Sequence, residues 1–479
     1  MGELKEKTLS GVKWNAIGRF STQGVSFVIS ILLARILTPS DYGVVGMIGI
    51  FMAIAQTFID SGFGSALIRK KDCTDEDFST AFYFNIVVGV VCYLILFLAA
   101  PLIANFFDTP ILKDIVRVLS INLFLNSLSI VQTAKLTAAV DFKSQAKVSL
   151  VATIVSGCVG LAMAYSGFGV WSLVYQSVSS SAVRTLLLWM ITKWKPLRIF
   201  SKQSFKYLFG FGSKILSASL LHTIYSNLTT ILIGKFYTSK DLGYYSRGES
   251  LATLPSSNLT GILQSVTYPI LSKMQDDDAR LVSVYRKYIR ITSMVIFFGM
   301  FLMAALAKPL ILTLLTDKWL ESVIFLQVFC FAYMFDHICQ LNLNILYVKG
   351  RSDLVLRLEI IKKTISISMI VAAIPFGVLA ICISRALYTQ IALIINTYYT
   401  GKLFGLGYWE QVKDFIRYLV CSLIAVLPAF LLSFTSFPSG IALIVGGCFS
   451  CLIYWVFLHK DESFAELLNM VLKRKNRVS

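Results

Sequence analysis

Eleven charged residues lie five or more positions in from the ends of the long apolar stretches of this 479-residue sequence. Seven are basic: Arg19, Arg184, Lys214, Arg247, Lys362, Lys363 and Arg385. Four are acidic: Asp60, Glu249, Asp336 and Glu359. A charge at the centre of a bilayer costs roughly 2.5–3.5 kcal/mol on insertion scales, so each should face water or a partner. Polar side chains share helical faces with them. One stripe runs Asn15, Arg19, Thr22, Gln23, Ser26 and Ser30, in steps of three or four. Others are Asn122, Asn126, Ser129 and Thr133; Gln176, Ser180 and Arg184; and Asp336, Gln340 and Asn344. Such faces describe the walls of a hydrated cleft. Their cationic surplus suits an anionic, strongly hydrated ligand. Arginine in particular offers a fork of donors that matches pairs of phosphate oxygens. Asn15, Arg19, Gln23, Lys214, Arg247 and Arg385 are the candidate ligand-binding residues. Asp336 beside His337 joins a carboxylate to an imidazole and is the candidate for ion coupling. Tyr244 and Tyr245 could stack on sugar rings.

The elements that hold these residues follow from composition. The chain is 56% hydrophobic and 15% charged, too apolar for the three soluble domains its length would otherwise suggest. A membrane helix needs about 20 mostly apolar residues. The apolar runs here lack the period-2 alternation of barrel strands, so helices are expected. We count about fourteen: 14–36, 42–66, 79–106, 114–135, 147–167, 170–192, 208–236, 242–268, 288–308, 320–347, 354–375, 378–400, 413–434 and 438–458. The seventh, eighth and tenth are read as the most polar. Turn residues mark the breaks, as at Thr38-Pro39-Ser40-Asp41 and Phe437-Pro438-Ser439-Gly440.

The net charge of +18, from 44 Lys and Arg against 26 Asp and Glu, is mostly an orientation signal. With a cytoplasmic N-terminus, 30 basic residues lie in or beside cytoplasmic connections and 7 beside outer ones. This asymmetry predicts a multi-pass protein with both termini cytoplasmic, and no nucleic-acid partner. The opening MGELKEKTLSGVKW has mixed charge and no cleavage site, and reads as an amphipathic lead-in.

An internal repeat organises the chain. ILLARILTPSDYG at 31–43 is echoed by ILIGKFYTSKDLG at 231–243, an offset of 200 residues. FGV recurs at 168–170 and 376–378. Helices one to six and seven to twelve then form two parallel copies about a central cavity, with two extra C-terminal helices. The expected divisions are a lead-in at 1–13, an N-lobe at 14–200, a C-lobe at 201–405, helices thirteen and fourteen at 406–460, and a basic cytoplasmic tail at 461–479. Most of the nine Cys lie in apolar runs and read as buried thiols, the C-x-x-C of Cys448 and Cys451 included. The three His cannot build a conventional zinc site, so no metal and no cofactor are expected.

Several segments resemble a known family. LLARILTPSDYGVVGM (32–47), DSGFGSALIRKKD (60–72), FSTAFYFN (78–85), VDFKSQA (140–146) and GFGVWSLV (167–174) are similar to the Wzx-like polysaccharide flippases. They are closer still to the lipopolysaccharide biosynthesis exporters of the colanic-acid and teichuronic-acid type. LIGKFYTSKDLGYYSRGESLATLP (232–255) and YPILSKMQDD (268–277) extend the resemblance over nearly the whole chain. It implies membership of the superfamily that also holds multidrug exporters and the lipid II flippase. It implies a two-lobed bundle working by alternating access in the bacterial inner membrane. The implied substrate is an oligosaccharide repeat unit on undecaprenyl pyrophosphate, destined for O-antigen, capsule or exopolysaccharide. Membrane lipids and the polysaccharide polymerase or export machinery are the implied partners, and coupling to a proton or sodium gradient is compatible with the fold. Arg19 and Arg247 best fit a cationic cavity for the pyrophosphate. The alternative readings are a cation-coupled multidrug exporter, which the span charges of seven basic to four acidic oppose, and a membrane polymerase or ligase. An enzyme of that kind usually needs a long outer loop, and the outer connections here are short.

Overall fold

The computed structural model describes residues 2–60, 62–70, 72–435 and 437–465, with side chains from 14 onward except 258–260, 262–266 and 268–269. The expected lead-in side chains (1–13) and the tail beyond 465 lie outside the described residues. Every regular element among the described residues is helical. Eleven of the helices are long and apolar enough to cross a membrane. The expected sixth, eighth and eleventh spans also fold as long helices, but they are too polar to meet that standard. The seventh and tenth, read from the sequence as most polar, do meet it.

The chain forms two compact units, Met1–Gly243 and Tyr244–Ser479. The first holds α1 (Gly2–Ile36), α2 (Pro39–Asp60), α3 (Phe63–Arg69), α4 (Asp75–Phe106), α5 (Leu112–Leu119), α6 (Ile121–Ser127), α7 (Ile130–Ala138), α8 (Phe142–Tyr165), α9 (Trp171–Thr192) and α10 (Lys202–Phe236). Helix α8 packs along both α1 and α9, while α10 packs on α2, α3 and α4.

Lipid tails are as apolar as leucine, so helices in a bilayer associate through close contact and polar links rather than through burial alone. The first unit follows this rule. Gly18 of α1 lies on the methyl of Ala146 of α8, and Gly89 of α4 lies on Ser127 of α6. The outer face of α4 is left apolar and exposed along Val91, Ile95, Leu98 and Leu102, a stripe suited to lipid. Gly62 separates α2 from α3 at φ 69°, a left-handed conformation that glycine adopts at no steric cost. Around α3 the core is aromatic, with Phe63 stacked on Phe84 at 4.5 Å. The fourth span breaks into α5, α6 and α7 at Ser120 and Ser129. Both hydroxyls donate back to main-chain carbonyls, Ser120 to Arg117 and Ser129 to Asn126, a pattern that bends helices.

The repeat turns use one capping device. Thr38 Oγ1 accepts from the Asp41 amide, and the Thr38 amide and hydroxyl donate to Asp41 Oδ2 at 2.8 and 2.7 Å. Thr238 and Asp241 do the same at 3.2 and 2.6 Å. These reciprocal bonds satisfy main-chain donors that a helix start leaves open. They begin α2 and α11 (Ser239–Ser272), whose first residues complete the first unit.

The second unit continues α11 and holds α12 (Asp278–Ala305), α13 (Ala307–Leu314), α14 (Ser322–Tyr333), α15 (Asp336–Val348), α16 (Ser352–Ala373), α17 (Val378–Phe404), α18 (Tyr408–Leu432) and α19 (Ser439–Leu458). Its core combines Phe297, Phe335 and Phe415, with ring centroids 5.4–6.1 Å apart. Two polar devices pin it. Asn342 and Gln411 exchange amide bonds of 2.9 Å in both directions, and Thr400 Oγ1 donates to Asn342 Oδ1 at 2.7 Å. Asp414 of α18 accepts from Arg286 and Arg290 of α12, at 2.6 to 3.0 Å. Those two arginines therefore join two helices through one carboxylate.

Candidate functional site

Helix α1 carries the polar stripe because its residues recur at helical spacing, and two turns further along the same side Ile29 and Leu33 are buried against α8 and neighbouring side chains. Asn15, Arg19, Thr22, Gln23 and Ser26 line one wall of a recess of about 430 Å³. Phe142, Gln145, Ala146 and Ser149 of α8 line the other. The close Gly18–Ala146 contact sets the two walls together at the floor. Asn15 and Arg19 are exposed into this space. Neither they nor Gln23 make a hydrogen bond or ion pair with any described residue. Thr22 Oγ1 is buried with no hydrogen-bond partner among the described residues. The stripe thus presents a full-length cation and two amides whose bonding capacity the described protein leaves unspent.

Lys214 is exposed on α10, two residues beyond the contact of Gly212 with Gly62. It lies outside the walls of the Arg19 recess.

The remaining candidates lie in the second unit. Arg247 is buried at 7% exposure, with its guanidinium 5.8 Å from the centre of the Trp319 ring. Arg385 is held on several sides. It donates to Glu249 Oε1 at 2.6 Å, to the Tyr245 hydroxyl at 3.2 Å and to the Tyr333 hydroxyl at 2.7 Å. Tyr333 in turn donates to Glu249 at 2.7 Å. The Arg385 charge is therefore answered inside the unit, a partnership across 136 residues of sequence that helical spacing gives no way to see.

Asp336 and His337 diverge. His337 Nε2 is 2.9 Å from Ser293 Oγ, and its ring lies edge-on to Phe297 in the aromatic core. Asp336 has Arg385 and Lys362 as its charged neighbours, and Lys362 is itself bonded to Glu359 at 2.5 Å. Tyr244 and Tyr245 do not offer open faces for sugar stacking. They are 4% and 0% exposed, packed on Trp319 and Phe329. Among the described residues no group of three or more His, Cys, Asp or Glu is placed to hold a metal ion.

With this geometry in view, the chain matches the family model described as "Polysaccharide biosynthesis protein" over residues 32–324, more than half its length. It belongs to the polysaccharide biosynthesis protein family. The teichuronic acid biosynthesis protein TuaB of Bacillus subtilis (strain 168) is 25% identical over 357 residues, covering 74% of each chain. The lipopolysaccharide biosynthesis protein WzxC of Escherichia coli (strain K12) is 24% identical over 396 residues, covering 82% of this chain and 80% of that one. The fold is shared with the lipid II flippase MurJ in its inward closed conformation. The TM-score is 0.75 at 14% identity, over 92% of this chain and 97% of MurJ. The chain shares the family's multi-pass helical membrane fold, and the matched residues take in Arg247 of α11 but begin beyond Arg19.

Proposed function

We propose that this chain is a flippase that moves a lipid-linked oligosaccharide across the bacterial inner membrane for surface polysaccharide synthesis. It is a transporter and not an enzyme. The observation that carries the reading is Arg19. A guanidinium free of ion pairs among the described residues stands in a polar recess on a membrane helix of a polysaccharide biosynthesis family member.

The residues support a division of labour. Arg19 donates a pair of hydrogen bonds to the diphosphate of an undecaprenyl carrier, and Asn15 and Gln23 donate to the remaining oxygens. Lys214 adds a point charge from α10. Arg247 is a further cation of this reading, and Arg385 reaches substrate only by leaving Glu249. The polyprenyl tail stays in lipid, since an apolar chain gains nothing from entering a wet recess. Alternating access then exposes the recess to one side of the membrane and afterwards to the other. Asp336, beside Arg385 and Lys362, is the carboxylate through which a proton or sodium gradient would act, with His337 behind it. The Lys and Arg asymmetry supports cytoplasmic termini. A cationic drug is a poor fit, because the span charges are net positive and would repel it.

Deleting the gene tests the reading. Lipid-linked oligosaccharide is expected to accumulate in the inner leaflet while surface polysaccharide disappears. Accumulation in the outer leaflet, or none at all, would contradict it.

A further inference from the structure

A second recess opens in the first unit, about 540 Å³ in volume and separate in its lining from the Arg19 recess. That size falls within the roughly 300–1,000 Å³ usual for small-ligand sites. Its chemistry differs from that of the first. Gln56 Nε2 donates to Asp60 Oδ1, and Asn126 Nδ2 donates to Gln56 Oε1, both at 2.9 Å. The two amides are therefore fixed, and each keeps a second N–H to offer. The hydroxyls of Ser129, Thr133 and Thr137 each donate to a main-chain carbonyl, at 2.9, 3.0 and 2.8 Å. Their protons are committed, so their oxygens act as acceptors. Arg184 is the charged neighbour of Asp60 and brings the charge of the pair close to zero.

A lining of this kind selects by elimination. A diphosphate would meet the Asp60 carboxylate. An organic cation would meet Arg184. A hydrocarbon would strip water from polar groups without replacing their bonds. A neutral polyhydroxyl ring both donates and accepts at each hydroxyl, and it satisfies fixed donors and acceptors together. Ile68, Ile130 and Ala134 supply apolar surface for its C–H face.

One hydrogen bond joins the linings of the two recesses. Gln145, which lines the Arg19 recess, donates from Nε2 to Thr137 Oγ1 of the second recess at 3.0 Å. We infer that the second recess binds the first sugars of the substrate while its diphosphate lies at Arg19, the Gln145–Thr137 bond marking the sugar–phosphate boundary. This rests on the flippase reading above and assigns the glycan end of the same ligand.

The test uses full-length protein in lipid nanodiscs and three probes: undecaprenyl diphosphate alone, and the same lipid carrying one glucose or one N-acetylglucosamine. The wild type should bind at least one sugar-bearing lipid about tenfold more tightly than the bare diphosphate. Asn126→Leu and, separately, Gln56→Leu should abolish that preference and leave the bare-diphosphate affinity unchanged. Arg19→Ala should weaken binding of all three. A fold damaged by substitution would weaken the bare diphosphate as well, and that outcome in both Leu variants overturns the assignment. So does a preference that survives in them, or bare-diphosphate binding with no preference for either sugar. If no probe binds the wild type at all, the flippase reading falls and this inference falls with it.

Discussion

Gly43 lies against the main-chain carbonyl of Ser239 so closely that no β-carbon fits, and Gly243 repeats the contact against Pro39. At an offset of 200 the two contacts are images of each other, so the repeat seen in the sequence is a physical pairing of its two turns. Between them the hydroxyls of Ser40 and Ser239 are 2.7 Å apart.

That pairing should be accessible to cross-linking. In a background with the native cysteines replaced, Ser40→Cys with Ser239→Cys should form a disulfide on mild oxidation. Adding Gly43→Val should suppress it, because the new side chain forces the turns apart. Mobility on a non-reducing gel reads both. A parent that does not cross-link would contradict the pairing.

The Asn342–Gln411 exchange should matter to stability more than to transport. Gln411→Leu leaves the buried Asn342 amide short of partners, at a cost of about 1–3 kcal/mol. Replacing both by Leu should cost less than the single change. Thermal unfolding of the purified variants compares them, and a double mutant no more stable than the Gln411→Leu single would oppose this view.

Lys70 carries a pH dependence. Its ammonium is 2.6 Å from the buried Asp77 carboxylate, which pushes the Lys70 pKa above its ordinary 10.5. A raised lysine stabilises fully below its unfolded pKa, and the contribution is lost as pH rises through the folded value. Lys70→Met should therefore lower the unfolding temperature near pH 8, and its deficit should shrink above pH 10.5. A deficit constant across that range would show that the ion pair is not its source.

Glu249 and Arg385 should behave as a unit. Glu249→Gln leaves Arg385 in a half-buried site without its counter-charge, costing up to about 3 kcal/mol after allowance for partial exposure. Arg385→Gln added to it should recover part of the loss. Unfolding temperatures and surface polysaccharide together separate a structural pair from a substrate contact. If the double variant is stable yet makes no polysaccharide, Arg385 also serves the substrate.

Much of this architecture could be read from residue order. Long apolar runs gave the helices, and the turn residues at 38–41 and their echo at 231–243 marked two of the breaks, because turn chemistry is local; the reciprocal caps that start α2 and α11 came only with the structure. The α1 stripe was legible for the same reason, since Asn15, Arg19 and Gln23 recur at the spacing of one helical face. Pairings between distant helices were not. Nothing in sequence spacing joins Arg385 to Glu249, Asp414 to Arg286, or Thr137 to Gln145. The breaks of α5, α6 and α7 were hidden too, because serine back-bonding bends a helix without changing its apolar character. The recess of Gln56 and Asn126 needed five helices, α2, α3, α6, α7 and α9, in place before its polar faces met.

The most direct test of the account is leaflet exchange by the purified protein. Vesicles would carry undecaprenyl-diphosphate-linked oligosaccharide from the deletion strain, and an added impermeant sugar-modifying enzyme would report its arrival at the outer leaflet. The account predicts exchange by the wild type, and a loss of at least about tenfold for Arg19→Ala at equal incorporation, the scale of one charge-assisted hydrogen bond. Exchange by Arg19→Ala at the wild-type rate would contradict it.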